Sequence, residues 1–271
     1  MPELPEVETF KRYVDSTSLH QRITGVEVRD AYVLKRISVR ELARLKGRRF
    51  ENSHRHGKHL FVRADNDPPS PRLRRASLWL RLHFGMTGWL QYLKRNEEPP
   101  KTARVLFSFA NNRRLAFDDQ RKFGEVELIK DADEFLQTRC IGPDALDVGR
   151  SEFKTIFRKQ RGAVKAILLN QQLIAGIGNL YADEILFRAG MHPATAAVSL
   201  SDKDLKKLFR ATRSVLERAI ALKTDFNRLP KSWLLPHRGK HGKCPRCGRA
   251  LKSATIGGRT SWFCVHCQKR I

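Results

Sequence analysis

Four of the chain's five cysteines form two pairs, Cys244-Pro-Arg-Cys247 and Cys264-Val-His-Cys267, with sixteen residues between the pairs. A C-x-x-C turn brings two thiolates to one ion. Two such turns complete a tetrahedron, the donor set of one structural zinc with no position left open for substrate. Two disulfides would use the same cysteines, and a reducing compartment disfavours them. The fifth, Cys140, stands alone in Thr-Arg-Cys-Ile-Gly and reads as a buried small hydrophobe. Between the pairs, residues 254–263 read as a hairpin with Gly257-Gly258 at the turn and Arg259 at the tip. Such an arginine is either a solvated loop residue or a cation delivered rigidly to a phosphate or a groove.

The N-terminus holds a second reactive set. Pro2 is followed closely by two acids, Glu3 and Glu6. Initiator methionine is normally removed before proline, which would leave a secondary amine as the first group. An α-amino group titrates near roughly 8, so an appreciable fraction is neutral and nucleophilic at physiological pH. Such an amine can attack a sugar anomeric carbon while a neighbouring carboxyl moves protons. A proline-rich helix start explains the same residues. A third signal, Gly176-Ile-Gly178-Asn179, opens a helix. It either turns backbone N–H groups toward an anion such as phosphate or lets two helices pack closely, and no βαβ pattern surrounds it.

These groups need a scaffold and a partner. Lys and Arg number 53 against 28 Asp and Glu, a formal net charge of +25. A self-repelling charge of that size points to an anionic polymer or surface, or else to a halo of solvated lysines. No apolar run is long enough to span a bilayer, and no signal-peptide pattern opens the chain, so an intracellular protein without a membrane partner is expected. Residues 3–16 read as a helix. Short alternating runs at 23–28, 78–84, 105–109, 115–117 and 124–128 read as strands of an antiparallel sheet or sandwich. The proline-rich stretch 65–71 reads as an exposed loop. Past Ile141-Gly-Pro143 the period turns helical, with helices from Ser151, over 163–170 and 180–190, and a long one from Ser201 to Leu222 capped by Ser201. The fold class is therefore α+β. Residues 1–140 form a β-sandwich domain with a flanking helix, 141–235 a helical domain, and 236–271 a metal-bearing hairpin.

In combination the motifs resemble the formamidopyrimidine-DNA glycosylase and endonuclease VIII family. Pro-Glu-Leu-Pro-Glu-Val-Glu-Thr at 2–9 is similar to its opening, and His56-Gly57-Lys58 to its lysine loop. His83-Phe-Gly-Met86-Thr-Gly88 and Arg121-Lys-Phe123-Gly124 resemble its wedge motifs, residues 176–184 its helix-two-turn-helix, and the cysteine hairpin its zinc finger. Leu4 resembles the formamidopyrimidine branch, since the other branch typically has glycine there. The resemblance implies a bifunctional enzyme that excises oxidised or ring-opened bases and nicks the strand by β- and δ-elimination. In that scheme Pro2 is the Schiff-base nucleophile, Glu3 the principal proton-transfer acid and Glu6 its support. Lys58 binds phosphate and assists β-elimination, and Arg259 grips the flanking phosphate and assists δ-elimination. Asn179 and Arg161 hold DNA, and Met86, Arg121 and Phe123 fill the gap left by the extruded base. The metal ligands are Cys244, Cys247, Cys264 and Cys267. The expected partner is double-stranded DNA with a damaged base or abasic site, bound by a monomer.

The sequence departs from the family at three places. Residues 223–237 are shorter than usual and lack the glycine-and-threonine start of a lesion-capping loop, which favours ring-opened purines or oxidised pyrimidines over 8-oxoguanine. Residues 100–104 lack the histidines often found at a DNA-contacting stretch, and Lys122 stands where the second arginine of Arg-Arg-Phe-Gly is usual. A non-catalytic protein that binds damaged DNA would share the scaffold and the charge. The presence of Pro2, Glu3, Lys58 and Arg259 together favours the enzyme.

Overall fold

The computed structural model describes residues 2–66 and 78–270. It divides into two compact units, one of Met1–Pro2 with Glu6–Arg139 and one of Glu3–Pro5 with Cys140–Ile271. Among the described residues no helix is long and apolar enough to cross a membrane.

The chain opens with α1 (Leu4–Thr17), and Pro5 lies in its first turn, where no intrahelical N–H is needed. Then come β1 (Ile23–Val28), the short α2 (Val39–Leu42), β2 (Arg48–His56), β3 (His59–Asn66), β4 (Leu78–His83), β5 (Gly88–Lys94), β6 (Ala103–Phe109), β7 (Arg113–Asp119), β8 (Glu125–Ile129) and α3 (Ala132–Thr138). The strands make two four-stranded antiparallel sheets, β1-β6-β7-β5 and β2-β3-β4-β8. Apolar residues of both sheets share one core with Val7, Phe10 and Val14, which α1 presents on one face. Phe50 of one sheet meets Phe107 and Phe109 of the other edge-on, at 6.0 and 5.8 Å between centroids.

The expected strands are β1, β4, β6, β7 and β8, and three further strands join them. β2 reads Arg-Arg-Phe-Glu-Asn-Ser-His-Arg-His, too polar to signal a strand, and its pairing with β3 imposes the conformation. Asp65 and Asn66, expected to begin a loop, instead end β3 opposite Arg49 and Arg48. The rest of that expected loop, 67–71, lies outside the described residues. Cys140 is a second correction: it is exposed, not buried. It follows the C-cap of α3 with φ +50°, a left-handed position that ends the helix at the surface.

The second unit contains α4 (Arg150–Arg158), α5 (Val164–Leu169), α6 (Asn179–Ala189), α7 (Asp202–Ala221), β9 (Lys252–Ile256) and β10 (Arg259–Phe263). Ser201 caps α7 as expected, in a reciprocal box with Asp204. Leu4, Phe153, Leu168, Ile177, Tyr181, Ile185 and Leu216 lie in the core of this unit. The β9–β10 hairpin turns on Gly257 and Gly258, with φ +59° and +70°, the positive pair that a tight two-residue turn demands.

Candidate catalytic and nucleic-acid-binding site

The N-terminus of α6 already holds an anion. The N–H groups of Gly178, Leu180 and Tyr181 donate to the Glu3 carboxylate at 2.7, 2.8 and 3.3 Å. Glu3 is fully buried. Orphan N–H groups and the positive end of the helix dipole both favour a negative charge at this place. The two sequence readings of the glycine motif divide between its two glycines. A Cβ at Gly178 would lie 2.4 Å from Glu3 Cδ, so that glycine admits the carboxylate, while one at Gly176 would lie 2.6 Å from Leu4 Cδ1, so that glycine serves packing. The anion is an acid of the chain itself.

A buried polar network fixes two more of the expected residues. Lys165 on α5, fully buried, donates from Nζ to Asn179 Oδ1 at 2.7 Å, Asp183 Oδ1 at 2.6 Å and Ser261 Oγ at 2.7 Å. Asp183 also accepts from Arg238 Nε at 3.0 Å and from the Trp262 N–H at 3.1 Å. Burial pushes the Lys165 pKa down, and the Asp183 carboxylate opposes that shift. The ammonium must face Oδ1 of Asn179, which turns the amide so that its NH2 is left to donate elsewhere. The same lysine and Asp183 hold Ser261 and Trp262, just after Arg259, which is exposed where β10 leaves the turn. Neither Lys165 nor Asp183 stands out in the sequence. The one available signal was the i, i+4 spacing of Asn179 and Asp183, which puts both on one helix face. Arg161 is exposed on the α4–α5 loop.

The four cysteine Sγ atoms lie within 4.8 Å of one another, with 3.8 Å from Cys244 to Cys267 and 3.6 Å from Cys247 to Cys264. A tetrahedron of Zn–S bonds of about 2.3 Å sets its sulfurs about 3.8 Å apart, so the residues fit one structural zinc. Phe187, Leu234 and Leu251 pack around them. Cys247→Ser is expected to release the metal and loosen the hairpin that carries Arg259, while residues 6–139 stay folded. A zinc content near one per chain in that variant would contradict the assignment.

Beside this module Glu184 on α6 is fully buried, accepting the Leu235 N–H at 3.0 Å. Its Oε1 has no partner among the described residues. Burial pushes its pKa up from 4.5 to about 7. The stability it allows is therefore fully present below the unfolded value near 4.5 and is lost as pH rises through about 7. The difference corresponds to about 3 kcal/mol. Glu184→Gln should raise the melting temperature by several degrees at about pH 8 and far less at about pH 5. Equal shifts at both values would show that ionisation is not the cause.

In the other unit, Lys58 occupies the β2–β3 turn after Gly57, whose φ is +55°. Arg55 braces that turn from Nη1 to the Gly57 carbonyl at 3.5 Å and is held by Glu8 at 2.9 Å. Nearby on the sheet, Arg81 Nη1 approaches His59 Nδ1 at 3.2 Å, and Arg81 pairs with Glu125 and Glu127 at 2.6 and 3.0 Å. Burial, with His83 and Arg81 beside it, holds His59 well below the usual histidine range, and burial takes His83 to about 4, so both rings are neutral. Met86 lies on the β4–β5 loop, and Arg121 and Phe123 on the β7–β8 loop. Met86 and Phe123 are 40% and 52% exposed, and their loops approach each other where Gly85 meets the Phe123 backbone. Arg121 lies over the Phe123 ring at 5.0 Å. Pro2 and Glu6 are both half-buried, Glu6 in the first turn of α1.

Family models match along the chain in the same order. The formamidopyrimidine-DNA glycosylase N-terminal domain matches residues 1–126, the formamidopyrimidine-DNA glycosylase H2TH domain 141–229, and a zinc finger found in FPG and IleRS 242–270. The formamidopyrimidine-DNA glycosylase of Listeria innocua is 33% identical over 284 residues, covering 99% of this chain and 100% of that protein. The chain belongs to the formamidopyrimidine-DNA glycosylase family. A second glycosylase, from Pelobacter propionicus, is 34% identical over 281 residues, with 99% and 100% covered. The Lactococcus lactis glycosylase, solved non-covalently bound to DNA containing an AP site, superposes with a TM-score of 0.87 at 28% identity, covering 99% of this chain and 100% of that one. The same enzyme in complex with N7-benzyl-Fapy-dG DNA gives 0.87 at 27% identity, with 99% and 100% covered. As a formamidopyrimidine-DNA glycosylase family member, the chain is a base-excision repair glycosylase with a structural zinc finger.

Proposed function

We propose that this glycosylase removes ring-opened purines from duplex DNA and then nicks the strand through a Schiff base on Pro2. The observation that carries the reading is Glu3. The residue next to the proposed nucleophile is a buried carboxylate held by three N–H groups of α6, a costly placement for a residue of mere solubility. The Pro2 nitrogen forms a bond to C1′, the glycosidic bond breaks, and the base leaves with a proton relayed by Glu3, with Glu6 supporting. The C1′–O4′ bond then opens, with a proton taken up by O4′, to give the iminium, which acidifies C2′, and loss of the C2′ proton expels the 3′ phosphate. A further elimination expels the 5′ phosphate. Lys58 and Arg259 are the phosphate-binding cations, Asn179 and Arg161 hold the backbone, and Met86, Arg121 and Phe123 occupy the vacated stack.

The segment 223–237 supports a preference for ring-opened lesions. Leu229, Trp233, Leu234 and Leu235 are buried, so the segment packs onto its own unit, and little is left to build a capping loop. A site rejects a wrong base strongly only where fixed polar groups would be left unpaired, and fewer loop amides leave fewer such groups. Solved relatives bound to abasic, N7-benzyl-Fapy-dG and carbocyclic 8-oxo-G DNA support damaged DNA as the substrate class, and the lesion preference rests on the short segment. In a panel of lesion duplexes, ring-opened guanine opposite cytosine should be excised faster than 8-oxoguanine, and borohydride should trap a covalent adduct on abasic DNA. Affinity should fall with salt at a slope of about −0.9 per neutralised phosphate on a log–log plot. Equal or faster excision of 8-oxoguanine would overturn the lesion preference. Absence of any adduct would overturn the lyase step, and a flat salt response the use of the basic surface.

A further inference from the structure

Asp119, the last residue of β7, is a fully buried carboxylate placed between the two loops that carry Met86 and Phe123. Oδ1 accepts from Thr87 Oγ1 at 2.5 Å and from the Arg121 N–H at 3.2 Å, and Oδ2 accepts from the Gly124 N–H at 2.6 Å. The Arg121 N–H is shared with Thr87 Oγ1 at 3.1 Å, which closes a triangle across the loops. Among the described residues no cationic side chain pairs with this carboxylate, so its three donors carry the cost of its burial. Its backbone is tied as well: its N–H donates to the Thr102 carbonyl at 3.1 Å, and its carbonyl accepts from Arg104 Nε at 2.8 Å.

The loops also touch directly. A Cβ at Gly85 would lie 2.3 Å from the Phe123 carbonyl carbon, and one at Gly124 would lie 2.9 Å from Asp119 Oδ2. Lys122, between Arg121 and Phe123, takes φ +58° and reaches back to Asp30 at 2.7 Å. Two apolar tips therefore stand exposed on a base that is hydrogen-bonded and packed.

We propose that Asp119 and Thr87 are positioning residues that lock the β4–β5 and β7–β8 loops into one rigid wedge, so that Met86, Arg121 and Phe123 enter the duplex as a unit. The proposal rests on the reading that these three side chains fill the vacated stack. Unstacking a base step costs a few kcal/mol, and a loop that yields under that load does not hold the gap open. Neither residue touches DNA in this scheme. Thr87 joins the loops, and Asp119 sets the height of both.

The test compares Thr87→Val, Thr87→Ser, Asp119→Asn and a Met86→Ala/Phe123→Ala double variant. A 2-aminopurine beside the lesion reports unstacking, and single-turnover excision is measured on the same duplex. Thr87→Val keeps the side-chain shape and removes the hydroxyl that donates to Asp119 and accepts from the Arg121 N–H, and Asp119→Asn places an NH2 where Gly124 needs an acceptor. Both should slow unstacking and duplex excision on the order of ten- to a hundredfold. Both should cleave a single-stranded abasic oligonucleotide, which has no stack to open, far closer to the wild-type rate. Thr87→Ser should restore the duplex rate. Wild-type unstacking by Thr87→Val and Asp119→Asn, with the double variant impaired, would overturn the clamp and leave the wedge reading intact. Wild-type unstacking by the double variant would overturn the wedge reading and the clamp with it.

Discussion

Glu3→Gln is expected to lower base excision from a lesion duplex by about 10²–10⁴-fold, the range for losing a positioned proton-transfer group. Gly178→Ala should come close to that loss without altering any ionisable group. The added Cβ would lie 2.4 Å from Glu3 Cδ and 2.5 Å from Oε1, so the carboxylate must leave its three donors. Backbone strain does not confound the variant, because Gly178 has φ −125° and ψ −164°, an extended conformation open to alanine. Excision and cleavage of a preformed abasic site should be measured separately under single turnover. The second should suffer less, since no base has to leave. A Gly178→Ala protein that folds normally and excises at the wild-type rate would show that the α6 amides do not set the position of Glu3 that matters.

Only one half of the Glu3–Gly178 pairing is legible in the sequence. The glycine motif was legible as a place for an anion because local spacing opens a helix there. The identity of the anion was not, because the carboxylate comes from 175 residues away in the chain. Lys165 was hidden for a similar reason. Within Ala-Val-Lys-Ala-Ile-Leu-Leu it looks like one solvated lysine on an apolar helix, and only the fold brings Asp183 and Ser261 to it. The zinc ligands, the Gly257-Gly258 turn and the Ser201 cap were legible because each is a local constraint with its own geometry. β2 and the exposed Cys140 were not, since tertiary pairing in one case and a helix end in the other outweighed residue type.

Blocking the terminal amine should have the largest effect of all. A residue retained ahead of Pro2 makes its nitrogen an amide, whose lone pair is delocalised and no longer attacks carbon. A protein with an uncleaved tag ahead of Pro2 should give no borohydride adduct and no nick on abasic DNA, while its affinity for the duplex stays nearly unchanged. Pro2→Gly keeps a free but primary amine and loses the ring's fixed φ, so activity should fall without vanishing. Lys165 has a lowered pKa, but it is fully buried and committed to Asn179, Asp183 and Ser261, so no sugar carbon can reach it. Lys58, half-buried on its braced turn, is the first alternative. If the tagged protein still traps, the adduct should be mapped by peptide. A modified Lys58 would move the nucleophile there, and the assignment of the chemistry to Pro2 would be wrong for this chain.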